Sequence, residues 1–371
     1  MSALQKIAEI EAEMARTQRN KATNAHIGLL KAKIAKLKRE AFIEESVGGK
    51  SGGGGRGFEV ARSGVGRISL LGFPSVGKSS LMNNLTGSES EVSEIEFTTL
   101  TAIPSPFVIN GVTFQLLDLP GIISGAKDGK GRGKAVISTA RTSDLILIVL
   151  DATKAWTDKR IIENELEGFG IRLNKVPPEI KMRKKEKGGI TYTSTVPLTK
   201  LTEEVINSVC KEYRMNNVDF NFHCDATVDE LIDILEGNRV YVPCVYVLNK
   251  CDAMSLEELE LFDKIPNYVP ISVHKNWNID GLKDAIWDAL NITRIYTKKR
   301  GCPVDFAEPV ALSRRRGPVT VKRFVESIHR GLAGKVSYAW VWGRSVRFQP
   351  MKCSVSHVLE DEDIVSFVAK S

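Results

Sequence analysis

Apolar residues recur every three or four positions in two stretches near the N-terminus: Ile7, Ile10 and Met14, then Leu30, Ile34, Leu37 and Ala41. That period puts each set on one face of a helix, so residues 3–20 and 27–45 are expected to be helical. The polar segment Arg19–Thr23 supplies the turn, and Asn24 is the expected cap of the second helix. Matching stripes predict a helical hairpin over residues 1–45. Lys31, Lys33, Lys36, Lys38 and Arg39 surround its polar side, either as a solvated face or as a contact for RNA or another partner. Ser46–Gly57 (SVGGKSGGGGRG) opens a flexible linker assigned to residues 46–65.

Beyond Gly66 the period changes. Short, largely apolar runs occur at Ile68–Leu71, Val112–Leu117, Leu145–Leu150, Val242–Leu248 and Val269–Ile271, separated by helical stretches. Runs of that length without alternation suit strands buried on both faces. They predict an α/β fold over residues 66–292: a doubly wound sheet with its ligand at the strand C-terminal ends. The interval between Asp151 and Asn249 is too long for one crossover helix. Residues 166–239 are therefore expected to form an inserted small α+β subdomain, with a strand at Ile190–Val196 and helices at Leu201–Tyr213 and Val228–Leu235. Its basic run Lys181–Lys187 reads as an exposed loop, with nucleic-acid contact as the alternative. Helix Ile279–Leu290 closes the core, and Thr297–Gly301 reads as a linker. Residues 293–371 read as strands Val310–Ser313, Ser337–Trp342 and Ile364–Ala369 with one helix, Val319–His329. Tyr338, Trp340 and Trp342 alternate, so they share one face, near Arg344 and Arg347. They are either a stacking surface for single-stranded RNA or core beneath the helix. Arg314–Arg316 is the denser candidate for phosphate contact.

Composition changes this picture little. A chain of 371 residues suffices for two or three domains. A net charge of +7 and an isoelectric point near 9.0 favour a polyanionic partner without requiring one. The longest apolar run, Leu145–Leu150, is flanked by Asp144 and Asp151, and the opening MSALQKIAEIEAEM lacks a signal-peptide core. No membrane partner is expected. Cys210, Cys224, Cys244, Cys251, Cys302 and Cys353 form no CxxC pair, consistent with reduced thiols, a cytoplasmic location and no zinc site of the chain's own.

The chemistry lies in the loops after the strands. Gly72-Phe73-Pro74-Ser75-Val76-Gly77-Lys78-Ser79 follows a strand and opens a helix at Ser80, the context a phosphate-binding loop requires. Its backbone N–H groups and the helix N-terminus attract phosphate oxygens, Lys78 adds a full charge, and the Ser79 hydroxyl can ligate Mg²⁺. Asn249-Lys250-Cys251-Asp252 follows another strand. The Asp252 carboxylate can accept from guanine N1 and N2, a pair that adenine lacks, while Asn249 and the Lys250 stem hold the ring. Backbone around Ser272-Val273 is a second expected base contact. Asp118-Leu119-Pro120-Gly121 ends a strand, with Asp118 placed for Mg²⁺ and the Gly121 amide for the γ-phosphate. Upstream, Thr99, or its neighbour Thr98, offers a further metal ligand.

Together GFPSVGKSS, FTTL, DLPGIISGAKDGKGRGK (118–134) and NKCD resemble the Obg-type GTPases, most of all the developmentally regulated GTP-binding (DRG) proteins. The resemblance runs over nearly the whole chain, including MARTQRNKATNAHIGLLKAKIAKLKRE (14–40). It implies a P-loop GTPase domain, an insert folded like a ribosomal-protein domain, and a C-terminal β-grasp module similar to the TGS domain. It also implies hydrolysis of GTP to GDP and phosphate with Mg²⁺, with catalytic roles for Lys78, Thr99 and Gly121. The implied partners are the ribosome or RNA and a zinc-finger-containing regulatory protein. The alternative is a GTP-sensing scaffold in which hydrolysis is a slow timer. Where many GTPases carry a water-orienting Gln, this chain has Ile122. Some relatives lacking the Gln use K⁺ held by a phosphate-loop Asn, and the matching residue here is Ser75.

Overall fold

The computed structural model describes residues 3–18, 23–47, 64–87, 103–119, 138–299, 301–329, 331 and 334–369. The strands, in chain order, begin with β1 (Arg67–Leu71), β2 (Ile103–Ile109), β3 (Val112–Asp118) and β4 (Leu145–Asp151). Next come β5 (Ile171–Leu173), β6 (Ile180–Lys184), β7 (Ile190–Ser194), β8 (Val218–Phe222) and β9 (Val240–Val242). Then follow β10 (Cys244–Asn249), β11 (Tyr268–Pro270), β12 (Ile292–Lys298), β13 (Val304–Ser313), β14 (Val336–Trp342), β15 (Met351–Cys353) and β16 (Asp363–Ala369). The chain divides into two compact units.

In the larger unit a six-stranded sheet runs in the order β11-β10-β4-β1-β3-β2. All neighbours are parallel except β2, which pairs antiparallel with β3. Every residue of β1 and of Leu145–Leu150 is buried, which is why these strands read as unbroken apolar runs. Leu81, Met82, Leu282 and Ile286 from helices Lys78–Thr86 and Ile279–Leu290 share a core with Ile68, Leu70 and Leu147 of the sheet. The parallel order places the ends of β1, β3, β4 and β10 side by side, and the candidate residues sit there.

The same unit carries the C-terminal sheet, order β13-β12-β16-β14-β15, with helix Val321–Ile328 on one face. Thr297 and Lys298, read from sequence as linker, are the end of β12. Thr293 and Ile295 are fully buried, and alternation carries the strand on through Thr297. β12 begins directly after Asn291, which closes the preceding helix in the left-handed region at φ 49°. Ser313 Oγ donates to the Leu290 carbonyl and Arg315 Nε to the Ala289 carbonyl, which ties the end of β13 to helix Ile279–Leu290. Arg314 donates to Thr293 Oγ1, so two of the three consecutive arginines are engaged within the unit.

The smaller unit joins the N-terminal helices to Glu163–Tyr241. Helices Ala3–Arg16 and Asn24–Val47 form the hairpin, with His26 at 3.1 Å from Glu13 and Lys38 at 3.4 Å from Glu11. Asn24 is not the cap: it lies inside the helix, and the Thr23 carbonyl accepts the first intrahelical bond, from Ile27. The insert has a three-stranded sheet, order β6-β8-β7, beneath helices Glu203–Glu212 and Val228–Glu236. Lys181–Lys184, expected in a loop, belong to β6. Ile180 and Met182 point into the core and Lys181 and Arg183 away from it, so the charged residues occupy the outer positions of a half-buried strand.

The second helix of the hairpin docks on the insert by a stripe of small residues. Ala25, Ala32 and Ala35 join the insert core, and a Cβ on Gly28 would stand 3.2 Å from Val205. Its basic residues flank that seam: Lys31 binds Asp229 at 2.7 Å, Lys36 binds Glu212 at 3.4 Å, and Arg39 reaches Glu236 at 3.7 Å. The sequence leaves this face to solvent, to RNA or to another partner; these three side chains pair with the insert of the same chain. The Gly-rich linker falls mostly outside the described residues.

Candidate nucleotide-binding site

The turn after β1 is shaped by positions that exclude side chains. A Cβ on Gly72 would lie 2.4 Å from the Val149 carbonyl. Gly77 has φ 92°, and its Cβ would lie 2.4 Å from Asn249 Nδ2. Ser75 is held in the left-handed region at φ 62°. Lys78 opens the helix, and its buried Nζ donates to the carbonyls of Gly72 (3.2 Å) and Phe73 (2.8 Å), at the centre of the loop. Burial pushes the Lys78 ammonium below the usual lysine pKa, while Asp118 pulls it back up. Ser80 follows in the first turn of the helix.

Ser79 and Asp118 meet. The Ser79 hydroxyl donates to Asp118 Oδ2 at 2.7 Å. Asp118 Oδ1 is buried with no hydrogen-bond partner among the described residues. Burial raises the Asp118 pKa, opposed by the Ser79 hydrogen bond and the charge of Lys78. A buried carboxylate oxygen without a donor, beside a hydroxyl, is a donor set that fits Mg²⁺. Leu119 is fully buried, its N–H 3.4 Å from the Leu70 carbonyl. Thr98, Thr99, Pro120, Gly121 and Ile122 lie outside the described residues.

The third strand end carries the residues expected on the base side. Asn249, buried at the end of β10, donates from Nδ2 to the Val76 carbonyl at 2.8 Å. Its Oδ1 accepts from the Lys250 N–H at 2.9 Å and the Val273 N–H at 3.2 Å. One side chain thus ties the turn after β1 to the turn at Lys250 and to the loop at Val273. Asp252 sits in a short 3-10 turn, Cys251–Ala253, with its carboxylate in the open. The Ser272 hydroxyl, first among several influences, holds its pKa below the usual carboxylate value. Ser272 is itself fully buried, and its Oγ accepts from the Lys275 N–H.

A family model described as "50S ribosome-binding GTPase" matches residues 67–184, one for the C-terminal region of that domain matches 187–292, and a TGS domain model matches 293–369. The chain is 56% identical to developmentally-regulated G-protein 3 of Arabidopsis thaliana, covering 99% of each. The chain belongs to the developmentally regulated GTP-binding protein family. An uncharacterized GTP-binding protein of Schizosaccharomyces pombe is 58% identical over 99% of both chains. The ribosome-interacting GTPase 1 of Saccharomyces cerevisiae is 54% identical, again over 99% of both. Among solved structures, Aquifex aeolicus Era bound to GDP·AlF4⁻ is similar at 21% identity and a TM-score of 0.36, covering 61% of this chain and 57% of that one. The family membership makes the chain a GTP-binding protein with a P-loop GTPase fold and a C-terminal TGS domain.

One pair in this family member's site escapes the motifs. Asp151, at the end of β4 and in register with Asn249, binds Lys250 Nζ at 2.7 Å through Oδ2. Its Oδ1 accepts from the N–H of Thr153 at 3.0 Å and from its hydroxyl at 2.7 Å. Lys250 Nζ also reaches the Ser75 carbonyl at 3.4 Å, and the residue holds the left-handed φ of 66°. These hydrogen bonds and the lysine charge outweigh burial and keep the Asp151 pKa below the usual range. An acidic residue closing an apolar strand beside Asn249 was the available signal.

Proposed function

We propose that the protein binds GTP, hydrolyses it to GDP and phosphate, and acts as a translation-associated switch on ribosomes in the cytoplasm. The observation that carries the nucleotide reading is the Asn249 side chain, which hydrogen-bonds both to the phosphate loop and to the loop at Val273. In this reading Gly72–Ser80 wrap the phosphates, with Lys78 charge on the β- and γ-oxygens. Asp252 selects guanine, supported by Lys250, Ser272 and Val273. Ser79 and Asp118 would hold Mg²⁺, with Thr99 as a further ligand; the ion would neutralise phosphate charge as the bond to the γ-phosphorus breaks. The Gly121 amide, after Leu119 and Pro120, would sense the γ-phosphate. Ile122 has no polar atom with which to orient water, so positioning must come from backbone, from the ribosome or a regulatory zinc-finger partner, or from K⁺ near Ser75. The ribosomal setting rests on the printed name of the yeast relative and on the basic charge of the chain.

The deciding experiment is competition between GTP and xanthosine triphosphate. In Asp252→Asn the amide complements xanthine, so preference should shift toward the xanthine nucleotide, with GTP weakened about tenfold or more. Unchanged GTP affinity would remove Asp252 from the base site.

A further inference from the structure

In β14 alternate side chains go to opposite faces. Ala339 and Val341 are fully buried in the core with Phe324 and Val325 of helix Val321–Ile328. Tyr338, Trp340 and Trp342 therefore lie on the other face, each half-buried. The core beneath the helix is complete without them. Cross-strand register extends their face: Trp342 stands opposite Ile364 of β16, which stands opposite Tyr296 of β12, and Trp340 stands opposite Lys352 of β15. Phe306 of β13, 64% exposed, meets Tyr296 edge-on with centroids 5.1 Å apart. Tyr338 and Trp340 pair edge-to-face at 6.1 Å. Two ammonium groups lie over the same rings: Lys298 Nζ is 4.8 Å from the Trp342 centroid and Lys352 Nζ 4.1 Å from that of Tyr338.

The C-terminal domain as a whole is rich in cations, although the exposed Asp305 and Glu308 of β13 lie near Phe306. Residues 293–369 carry 14 Lys and Arg against 7 Asp and Glu. Of the acidic residues, Asp361 and Glu362 are paired with Arg294, and Asp363 is fully buried. The balance left for a ligand is cationic, beside aromatic rings. We propose that this outer sheet face binds single-stranded RNA, with unpaired bases stacked on Tyr338, Trp340 and Trp342 and phosphates held by Lys298 and Lys352. The proposal rests on the ribosome-associated reading above and names the surface and the ligand chemistry it lacks. Rings repeating at the strand period offer consecutive stacking platforms, and every base has a π-face to set on them. The lysines hold the rings in place by cation–π contact, and their long stems let the ammonium move to a phosphate when a base takes its place. Acidic side chains would satisfy the lysines but bring no aromatic face to stack on the rings, so RNA is the better complement.

The test is fluorescence anisotropy of a short labelled single-stranded RNA with the full-length chain, alongside GTP binding and a melting curve for each variant. Trp340→Ala with Trp342→Ala should weaken RNA binding about tenfold or more, and the corresponding Phe variants should restore most of it. Lys298→Ala with Lys352→Ala should weaken binding and flatten its salt dependence, by a slope of about 0.7 for each phosphate no longer neutralised. All should bind GTP as the unmodified chain does. This separates the two readings: Asp252→Asn can lose GTP and keep RNA, whereas these variants lose RNA and keep GTP. If the alanine pair fails to fold, the lysine pair and the Phe variants carry the test. Unchanged RNA affinity in folded variants overturns the proposal. So does equal affinity for a duplex of the same sequence, or displacement of RNA by an oligoglutamate peptide at equal concentration.

Discussion

Asn249 donates to the loop that would hold phosphate and accepts from the loops that would hold the base, so one side chain connects two recognition events. Gly77 leaves room for it, since any Cβ there would meet Asn249 Nδ2 at 2.4 Å. The Asp151–Lys250 pair beside it predicts a measurable phenotype. Asp151→Asn keeps the hydrogen-bonding shape but removes the charge, and GTP affinity should drop about fivefold, roughly 1 kcal/mol for a pair half open to solvent. Turnover at saturating GTP should be unchanged, so a KM effect without a kcat effect in steady-state kinetics is the expected signature. Because the folded-state pKa of Asp151 is depressed, the pair's contribution is complete above the ordinary carboxylate value and fades only as pH falls through the lowered one. The phenotype should therefore persist unaltered from neutral to mildly acidic pH. At the neighbouring strand end, Ser79→Asn replaces the hydroxyl that donates to Asp118 with a bulkier amide. Nucleotide binding titrated against Mg²⁺ should shift by tenfold or more, about 1.5–3 kcal/mol. A curve that does not shift would exclude Ser79 from the metal.

At the scale of elements, the hairpin's seam with the insert depends on small residues. Gly28→Leu drives a branched side chain into Val205, 3.2 Å from where its Cβ would start. Overpacking of that kind costs about 1–3 kcal/mol. Denaturant unfolding should register the loss, and hydrogen exchange should rise in helices Asn24–Val47 and Glu203–Glu212 together. The sequence revealed elements whose burial was one-sided or complete. Leu145–Leu150 could only be a buried strand, and Ile7, Leu30 and Ile34 gave away the hairpin. It concealed the seam, because Ala25, Gly28, Ala32 and Ala35 are too small to register as an apolar stripe. The basic residues around that stripe looked like solvent or RNA contacts until their acidic partners, almost two hundred residues away, were in place. β12 was obscured for a related reason: its last residue, Lys298, opens a basic run whose charges mask an alternating pattern. In the site, motifs with a fixed spacing were legible, whereas Asp151 acts through one hydrogen-bonded lysine on another strand and belongs to no motif.

For the molecule as a whole, the loop that would hold phosphate and the loop that would hold guanine are both in place, while the residue directly after Gly121, Ile122, has no polar side chain to align water. The isolated protein should hydrolyse GTP slowly but measurably, since charge from Lys78 remains. Single-turnover assays should show the rate rising on addition of ribosomes, of a regulatory partner, or of K⁺ in place of Na⁺. Ile122→Ala should leave it nearly unchanged. A fast basal rate indifferent to all three additions would refute this account. The hairpin's docking sets a schedule as well. Lys31 and its partner Asp229 are 198 residues apart, and at 5–20 residues per second the second is synthesised about 10–40 s after the first. Until Val205 and its neighbours are made, the small-residue face of the nascent helix Asn24–Val47 has no insert to cover it. The phosphate loop emerges within the same interval, but Asn249, Asp252 and Val273 follow Asp229 in the chain, so every residue of the hairpin's seam exists before the nucleotide site is whole.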